Sequence, residues 1–256
     1  MLLLAAIVPP IPQPPSYHHF ADSRDCFGIP NCFNVISNLT FLFVGVAGLI
    51  FLLNSRGSRV AKAFTLSSER WPFMILFLNV ALVCFGSAYY HLAPDNDRLI
   101  WDRLPIAIGI MALLAATIND RIGPKAGTRL LPVLTAIGAG TVLNWYWSEQ
   151  RGVGNLNFYV VVQFYSLLVI VLLGVFFHSR YTRGRDIYTA LGLYALAKVA
   201  EFTDRPIYAL GHAISGHSVK HLLAACAIYW VLRMLRKRER LQGTMEEAAS
   251  RSSGLP

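Results

Sequence analysis

Charged residues are scarce in this sequence: Asp, Glu, Lys and Arg make up only 14% of its 256 residues. Hydrophobic residues make up 55%, and the mean hydropathy is +0.47. A soluble domain of this size carries far more charge on its surface, so this composition excludes an ordinary soluble protein. The sequence also lacks a polar segment long enough to form a second, soluble domain.

The apolar residues occur in runs of about 20, the length that an α-helix needs to cross the hydrocarbon core of a bilayer. These runs predict an all-α membrane protein, a seven-transmembrane helix bundle within residues 31–236. The sixth span contains Lys198, Glu201 and Asp204, so its outer half must face protein or water rather than lipid. We place the spans near residues 31–53, 71–91, 101–118, 130–147, 157–177, 187–209 and 215–235.

Both ends of the chain are expected to lie outside the bundle. Residues 1–30 start with a short, proline-rich apolar stretch that lacks the positively charged region of a signal peptide. They predict an extended N-terminal arm, with an uncleaved targeting segment as the alternative. Residues 237–256 are polar and predict a disordered tail.

Lysine and arginine are rare in every second loop. They concentrate after spans one, three, five and seven, which by the positive-inside rule predicts an N-terminus outside and a C-terminus in the cytoplasm. The net charge of +9 could by itself suggest a nucleic-acid partner. The basic residues sit at alternate helix ends, however, and not on a patch interleaved with aromatics, so topology and anionic lipid explain them and we expect no nucleic acid.

The sequence has only four cysteines. Cys84 and Cys226 fall inside apolar spans, where a small buried thiol is the usual interpretation. Cys26 and Cys32 lie in or beside the outer N-terminal segment. We expect them to be unpaired, with Cys32 packed at a helix start; the alternative is a disulfide, if that compartment oxidises thiols.

The polar residues inside the predicted spans lie at a similar depth in the membrane. Span two ends with Ser87 and His91, whose four-residue spacing puts them on one helix face. Span three opens with Asp102, and span seven opens with His217 and His221. Because span two runs outward and the other two run inward, all five residues lie in the outer half of the membrane. Three imidazoles and a carboxylate at one depth suit a catalytic zinc site, which takes three protein ligands and leaves the fourth position open.

Each of these polar residues also has a structural interpretation. Asp102 could be a helix N-terminal charge favoured by the macrodipole, paired with Arg103 or Arg98, and Ser87 could hydrogen-bond its own helix. Lys220 is either a snorkelling cation or a partner for Glu201 or Asp204. We interpret Glu201 and Asp204, which share a helix face, as supports or counter-charges for the metal ligands.

Taken together, Ser87-x3-His91, Asp102 eleven residues later and His217-x3-His221 at the start of the last span resemble the alkaline ceramidase family. The wider superfamily also holds the progestin and adipoQ receptors. The resemblance implies that the three histidines bind zinc and that Ser87 and Asp102 assist catalysis. The implied reaction is cleavage of the amide bond of ceramide, or of a related N-acyl lipid arriving from the bilayer, by zinc-bound hydroxide. The segment 34–38 is similar to an Asn-x-x-Ser-Asn segment of that family.

Eukaryotic members of that family also hold calcium next to span one. The corresponding stretch here offers Asp22, Asp25 and Asn31 as oxygen ligands, whereas calcium usually takes six to eight. The resemblance implies calcium as a second cofactor at this place, although this stretch offers fewer ligands than calcium usually takes. The alternative is a turn leading into a helix, built on residues 28–31, in which Pro and Asn set the backbone.

Two other functions compete with the hydrolase. A zinc-containing receptor or sensor of the same superfamily would lie the other way in the membrane, so the charge count favours the hydrolase. A transporter would need polar groups through the full membrane depth, and here they gather near one face. The expected location is a bacterial inner membrane, as a multi-pass protein, with an internal eukaryotic membrane as the alternative.

Overall fold

The computed structural model describes residues 2–54 and 58–241 of the chain. Within these residues the structure is helical and has no β-strand. Six helices are long and apolar enough to cross a membrane, and each lies within a few residues of a predicted span, so the predicted all-α membrane class is confirmed. They are Cys32–Leu53, Ser67–Leu92, Asn96–Arg121, Ala126–Gln150, Asn157–Phe176 and Gly216–Lys237.

Several of these long segments are interrupted, so individual helices are numbered separately. The first span breaks at Ser37, and the fifth contains a π-helical turn over Val161–Tyr165. In the described residues the α-helices are α1 (Leu2–Ile7), α2 (Cys32–Ile36), α3 (Leu39–Leu53), α4 (Ser58–Ala63), α5 (Arg70–Leu92), α6 (Asn96–Arg121), α7 (Ala126–Gln150), α8 (Asn157–Val160), α9 (Ser166–Phe176), α10 (Asp186–Phe202), α11 (Asp204–Ala209) and α12 (Gly216–Lys237).

The predicted sixth span, 187–209, is not one continuous helix. Its first part is α10, whose 17 residues extend over about 25 Å, slightly less than the ~30 Å hydrocarbon core. The chain leaves helical geometry at Thr203, and Pro206 lies in the first turn of α11, where its missing N–H is tolerated. Seven spans therefore remain a prediction, with α10 as the candidate for the seventh.

The central helix of the bundle is α6, which packs against α5, α7 and α9. On one side α3 packs closely on α5, because Gly45 has no side chain to separate the helix from the backbone of Phe77 and Ala81. Close approach at small residues is the usual way that membrane helices pack. On the other side, α10 and α12 form a tightly packed pair.

The two predicted ends differ from the expectation. The N-terminal arm is not extended throughout, because residues 2–7 are α-helical and Pro15–His18 form a 3₁₀ turn. The start of the predicted tail is ordered: Arg238 is buried, and the carbonyl of Glu239 accepts from the backbone N–H of Thr182 at 2.8 Å. The rest of the predicted tail, from residue 242 onward, lies outside the described residues.

Candidate metal centre

The three predicted metal ligands meet in the structure. His91 lies in the last turn of α5, and His217 and His221 lie in the first turns of α12. All three are buried, with exposures of 0%, 4% and 3%. Each can direct one ring nitrogen so that the three nitrogens lie within 4.8 Å of one another, and the ring centroids are 4.8 to 5.2 Å apart. We call this group, His91, His217 and His221, the metal centre.

The start of α12 is fixed by several local contacts. The side chain of Ser215 caps the helix by accepting from the N–H of Ser218 at 3.2 Å. A Cβ at Gly216 would overlap the carbonyl oxygen of Ala200, so glycine lets α12 approach α10 here. The carboxylate of Asp204 accepts from the N–H of His217 at 2.7 Å. These contacts set the direction in which the two histidines of α12 leave the helix.

Several ring nitrogens of the metal centre have no partner. Neither nitrogen of His91 is hydrogen-bonded, and Nε2 of His221 has no partner either, although all three atoms are buried. Buried polar atoms are almost always satisfied, so such a concentration needs an explanation. A metal ion bound by these nitrogens would satisfy them, and imidazole is a ligand that zinc accepts. The residues therefore fit a metal ion.

Two of the other histidine nitrogens contact neighbouring side chains. Nδ1 of His221 is hydrogen-bonded to Oγ of Ser37 at 2.7 Å, an arrangement that orients the ring and leaves Nε2 facing the centre. Nε2 of His217 lies 2.9 Å from the ammonium of Lys220. The ring of Phe20 covers the centre from the N-terminal arm, with its centroid 4.6 Å from those of both His91 and His217.

The two predicted catalytic residues also come together. Ser87 and Asp102 are buried, and their side chains are in hydrogen-bonding contact. They meet because a Cβ at Gly86 would overlap the backbone carbonyl of Trp101, so only glycine allows α5 and α6 to come this close. Ser87 also lies one turn before His91, which places the pair beside the metal centre.

Ser87, Asp102, His217 and His221 line one cavity of about 710 Å³. Its deeper wall is apolar and comes mainly from α5, α6 and α12. Its other end carries charged side chains from α6, α10 and α12. The apolar residues of the deeper wall include Leu76, Val80, Val83, Ile106, Ile110, Leu113, Ala224 and Ile228.

Glu201 and Asp204 both reach the histidines of α12, by different routes. The Glu201 carboxylate pairs with Lys198 and, at 3.1 Å, with Lys220, which in turn contacts His217. Asp204 acts on the backbone: besides the N–H of His217, it accepts from the N–H of Ala21 at 2.8 Å. Asp204 therefore joins the N-terminal arm to the start of α12.

The three residues considered for calcium are engaged separately. Both carboxylate oxygens of Asp22 accept from the guanidinium of Arg24, at 2.8 and 2.7 Å, and Asp25 accepts from the N–H of Gly28. Burial raises the pKa of Asp22, but the hydrogen bonds and charge of Arg24 outweigh it, so the pKa lies below its ordinary value. The amide of Asn31 donates to the carbonyl of His91 at 2.9 Å. Each of these residues therefore makes a structural contact of its own, and a calcium site here stays a prediction.

The residues before α2 form a turn, as the alternative to a calcium site predicted. The same segment corrects our prediction for the two cysteines. Cys26 and Ile29 pair through their backbones, while Phe27 and Gly28 between them take positive φ, as in a tight hairpin turn. The expectation of unpaired cysteines is wrong, because Cys26 and Cys32 are bonded to each other. A pair only six residues apart is brought together by this turn, which the cysteine spacing alone did not reveal.

Sequence reasoning missed the contribution of the N-terminal segments to the centre. Phe20 and Tyr17 come from the arm, and nothing in their sequence context marks them. Asn34 was noted only within a family segment; its side-chain oxygen accepts from the hydroxyls of Ser215 and Ser218, at 3.3 and 2.8 Å. Polar residues in the otherwise apolar first span were the available signal.

A family model matches residues 35–240, which include the metal centre and all of the bundle except the first three residues of the first span. The chain belongs to the DUF6962 family, a family of unknown function. No curated protein matches the sequence, and no solved structure matches the fold. For this DUF6962 protein, function therefore has to be argued from the site itself.

Proposed function

We propose that this DUF6962 protein is an intramembrane zinc-dependent amidohydrolase that cleaves the amide bond of ceramide or a related N-acyl lipid. The observation that carries the proposal is the metal centre: three buried histidines come together, two of them have unpartnered ring nitrogens, and His217 and His221 line an apolar cavity. The order of Ser87, His91, Asp102, His217 and His221 along the chain, which resembles the alkaline ceramidases, supports the same chemistry.

The chain supplies the three ligands and the groups that handle protons. Zinc, when bound, supplies Lewis-acid activation of water and of the amide carbonyl. The Asp102 carboxylate is placed to take a proton from the attacking water and to pass it to the nitrogen of the leaving amine. In this proposal the Ser87 hydroxyl turns from Asp102 to donate to the carbonyl oxygen as negative charge develops there, an interaction worth a few kcal/mol in a dry site.

The cavity suits an amphiphile that enters from the side. The backbone of α10 packs mainly against α12, and the seam between α9 and α10 is bridged by side chains, such as the Gln163 amide that donates to the Tyr194 hydroxyl at 2.6 Å. Phe164 and Leu167 line the cavity on one side of this seam and Leu191 lines it on the other. A hydrocarbon chain could therefore pass from the bilayer into the apolar part of the cavity while the amide stays near the metal centre.

The proposed topology is seven spans, with the N-terminus outside and the C-terminus in the cytoplasm of a bacterial inner membrane. The distribution of basic residues supports it. The Cys26–Cys32 disulfide supports it independently, since disulfides persist in oxidising compartments such as the periplasm. In this orientation the metal centre lies in the outer half of the membrane.

The test compares three purified proteins in detergent: wild type, His217→Ala and Asp102→Asn. Metal content is measured by elemental analysis, and release of fatty acid from ceramide is measured on the same samples. We expect about one zinc per chain in wild type and in Asp102→Asn, and loss of zinc and activity in His217→Ala. Asp102→Asn should lower kcat by about 10²- to 10⁴-fold, because it removes the proton carrier alone.

Two results would contradict the proposal. Well-folded wild type without zinc would contradict the zinc site. Normal amide cleavage by Asp102→Asn would contradict the proposed proton transfer. Zinc without cleavage of any lipid amide would favour the receptor or sensor interpretation. The circular dichroism spectra of the three proteins control for folding.

A further inference from the structure

Arg103 is a buried cation in the cavity wall that has no acidic partner. It follows Asp102 on α6, is 5% exposed and lines the cavity. Among the described residues, no carboxylate lies within ion-pair distance of its guanidinium. A buried charge without a partner is costly, so proteins usually pair it or use it.

Aromatic rings surround this guanidinium without satisfying all of its donors. Its central carbon lies 4.2 Å from the ring centre of Trp145, 4.9 Å from that of Tyr159 and 5.4 Å from that of Tyr17. Nη2 donates to the side-chain oxygen of Gln13, whereas Nη1 has no hydrogen-bond partner. Rings stack on the faces of a guanidinium, while its edges are the part that binds carboxylates.

The cavity wall on α10 and α12 is also positive. Lys198 and Lys220 both pair with the single carboxylate of Glu201, so on this wall the cations outnumber their salt-bridge partner. Tyr17 lies between Arg103 and the lysine pair, because its hydroxyl is 3.5 Å from Glu201 and its ring lies beside Arg103. Both therefore face the same polar end of the cavity, next to the metal centre.

We propose that Arg103, with Lys198 and Lys220, forms a subsite for a carboxylate on the substrate, so that the substrate is a long-chain N-acyl amino acid. This inference rests on the proposed amidase and narrows its substrate class. In such a lipid the carboxylate is one carbon from the amide nitrogen, which places the two groups at the polar end together while the acyl chain fills the apolar part. Hydrolysis breaks the acyl C–N bond, adds the hydroxyl of water to the acyl carbon and a proton to nitrogen, and releases a fatty acid and an amino acid.

The test uses two probes that differ in charge, N-lauroylglycine and the neutral N-lauroylethanolamine. Their binding to the purified full-length protein is measured by calorimetry in an uncharged detergent, and their hydrolysis is measured separately. The variants are Arg103→Gln and Lys198→Gln. Arg151→Gln is the matched control, because it removes an exposed arginine in the loop after α7, away from the cavity.

We expect wild type and Arg151→Gln to bind N-lauroylglycine at least about tenfold more tightly than N-lauroylethanolamine, as one charge-assisted contact implies. Arg103→Gln should bind the two probes with nearly equal affinity, and Lys198→Gln should reduce the preference by about threefold. If Arg103→Gln does not fold, as judged by its melting temperature, Lys198→Gln decides the question.

Equal binding of both probes by wild type would overturn the subsite, and so would a preference that survives unchanged in Arg103→Gln and Lys198→Gln. The two proposals fail in different ways. Preference for N-lauroylglycine without hydrolysis of either probe keeps the subsite and removes the amidase. Hydrolysis of ceramide or of both probes without any binding preference keeps the amidase and removes the subsite.

Discussion

The two ends of α5 carry buried polar clusters of opposite character. At its beginning lie Glu69, Tyr181 and Arg238, which we call the Tyr181 cluster, with hydrogen bonds made within the protein. The Tyr181 hydroxyl donates to Glu69 at 2.6 Å, and Arg238 donates to the carbonyl of Ala63 at 2.8 Å. At its other end, about 30 Å away by helix rise, lies His91 with both ring nitrogens unpartnered.

The difference separates stability from function. Members of the Tyr181 cluster have their hydrogen bonds made within the protein, and the Arg238 guanidinium is stacked between aromatic rings, 4.2 Å from that of Tyr181. The metal centre and Arg103 leave donors and acceptors open toward a cavity. Buried donors and acceptors without hydrogen-bond partners destabilise the fold, so they indicate where a bound ligand would supply the missing partners. The predictions below test this distinction.

The largest effect is expected from adding a side chain where α10 and α12 pack closely beside the metal centre. Gly216→Ala places a Cβ where the carbonyl of Ala200 lies and 2.7 Å from Cα of Asp204, so α12 must move. We expect a loss of about 3 kcal/mol in the free energy of unfolding and loss of metal binding, because the histidines move with the helix. Thermal unfolding in detergent and elemental analysis measure the two effects.

Gly140→Ala is the matched control for that substitution. Gly140 lies on α7 with no atom within 4 Å of an added Cβ. Alanine there should leave metal content unchanged and stabilise the helix by up to about 1 kcal/mol. Equal behaviour of the two variants would show that the approach of α10 and α12 does not control the centre.

The long helices and the histidine cluster were predictable because each has a strong local signal. Runs of apolar residues gave the positions of the six long helices, and His217-x3-His221 lies within one helix, where four-residue spacing fixes a common face. His91 could be added because the direction of successive spans sets the depth of each helix end.

The other features depend on three-dimensional contacts and backbone geometry that the sequence pattern does not show. Thr203 breaks the predicted sixth span through the geometry of a short turn, and Phe20 reaches the metal centre from an arm with no periodic pattern. The Cys26–Cys32 bond follows from positive φ at two adjacent residues. Arg103 was considered as one of the few basic residues on the outer side and as a partner for Asp102, because its lack of an acidic partner within ion-pair distance is visible only in three dimensions.

A smaller effect is expected at the contact that orients one ligand. Ser37→Ala removes the hydroxyl that is hydrogen-bonded to Nδ1 of His221 at 2.7 Å, so the ring loses its fixed orientation. Partners of this kind are worth about 10- to 100-fold in metal affinity. Zinc competition with a chromophoric chelator measures the affinity, and Ser37→Thr, which keeps a hydroxyl, is the control. Unchanged affinity in Ser37→Ala would mean that this hydrogen bond does not contribute to zinc binding.

The smallest effect is expected in the Tyr181 cluster, and it falls on stability alone. Tyr181→Phe keeps the ring that stacks on Arg238 but removes the hydroxyl that donates to Glu69 and accepts from the N–H of Thr65 at 2.9 Å. Leaving these buried groups without a partner should lower the free energy of unfolding by about 1–2 kcal/mol. Zinc content and amide hydrolysis should match wild type, because the substitution lies at the opposite end of α5. A change in zinc affinity without a change in melting temperature would show that the two clusters are coupled, and the distinction between them would fail.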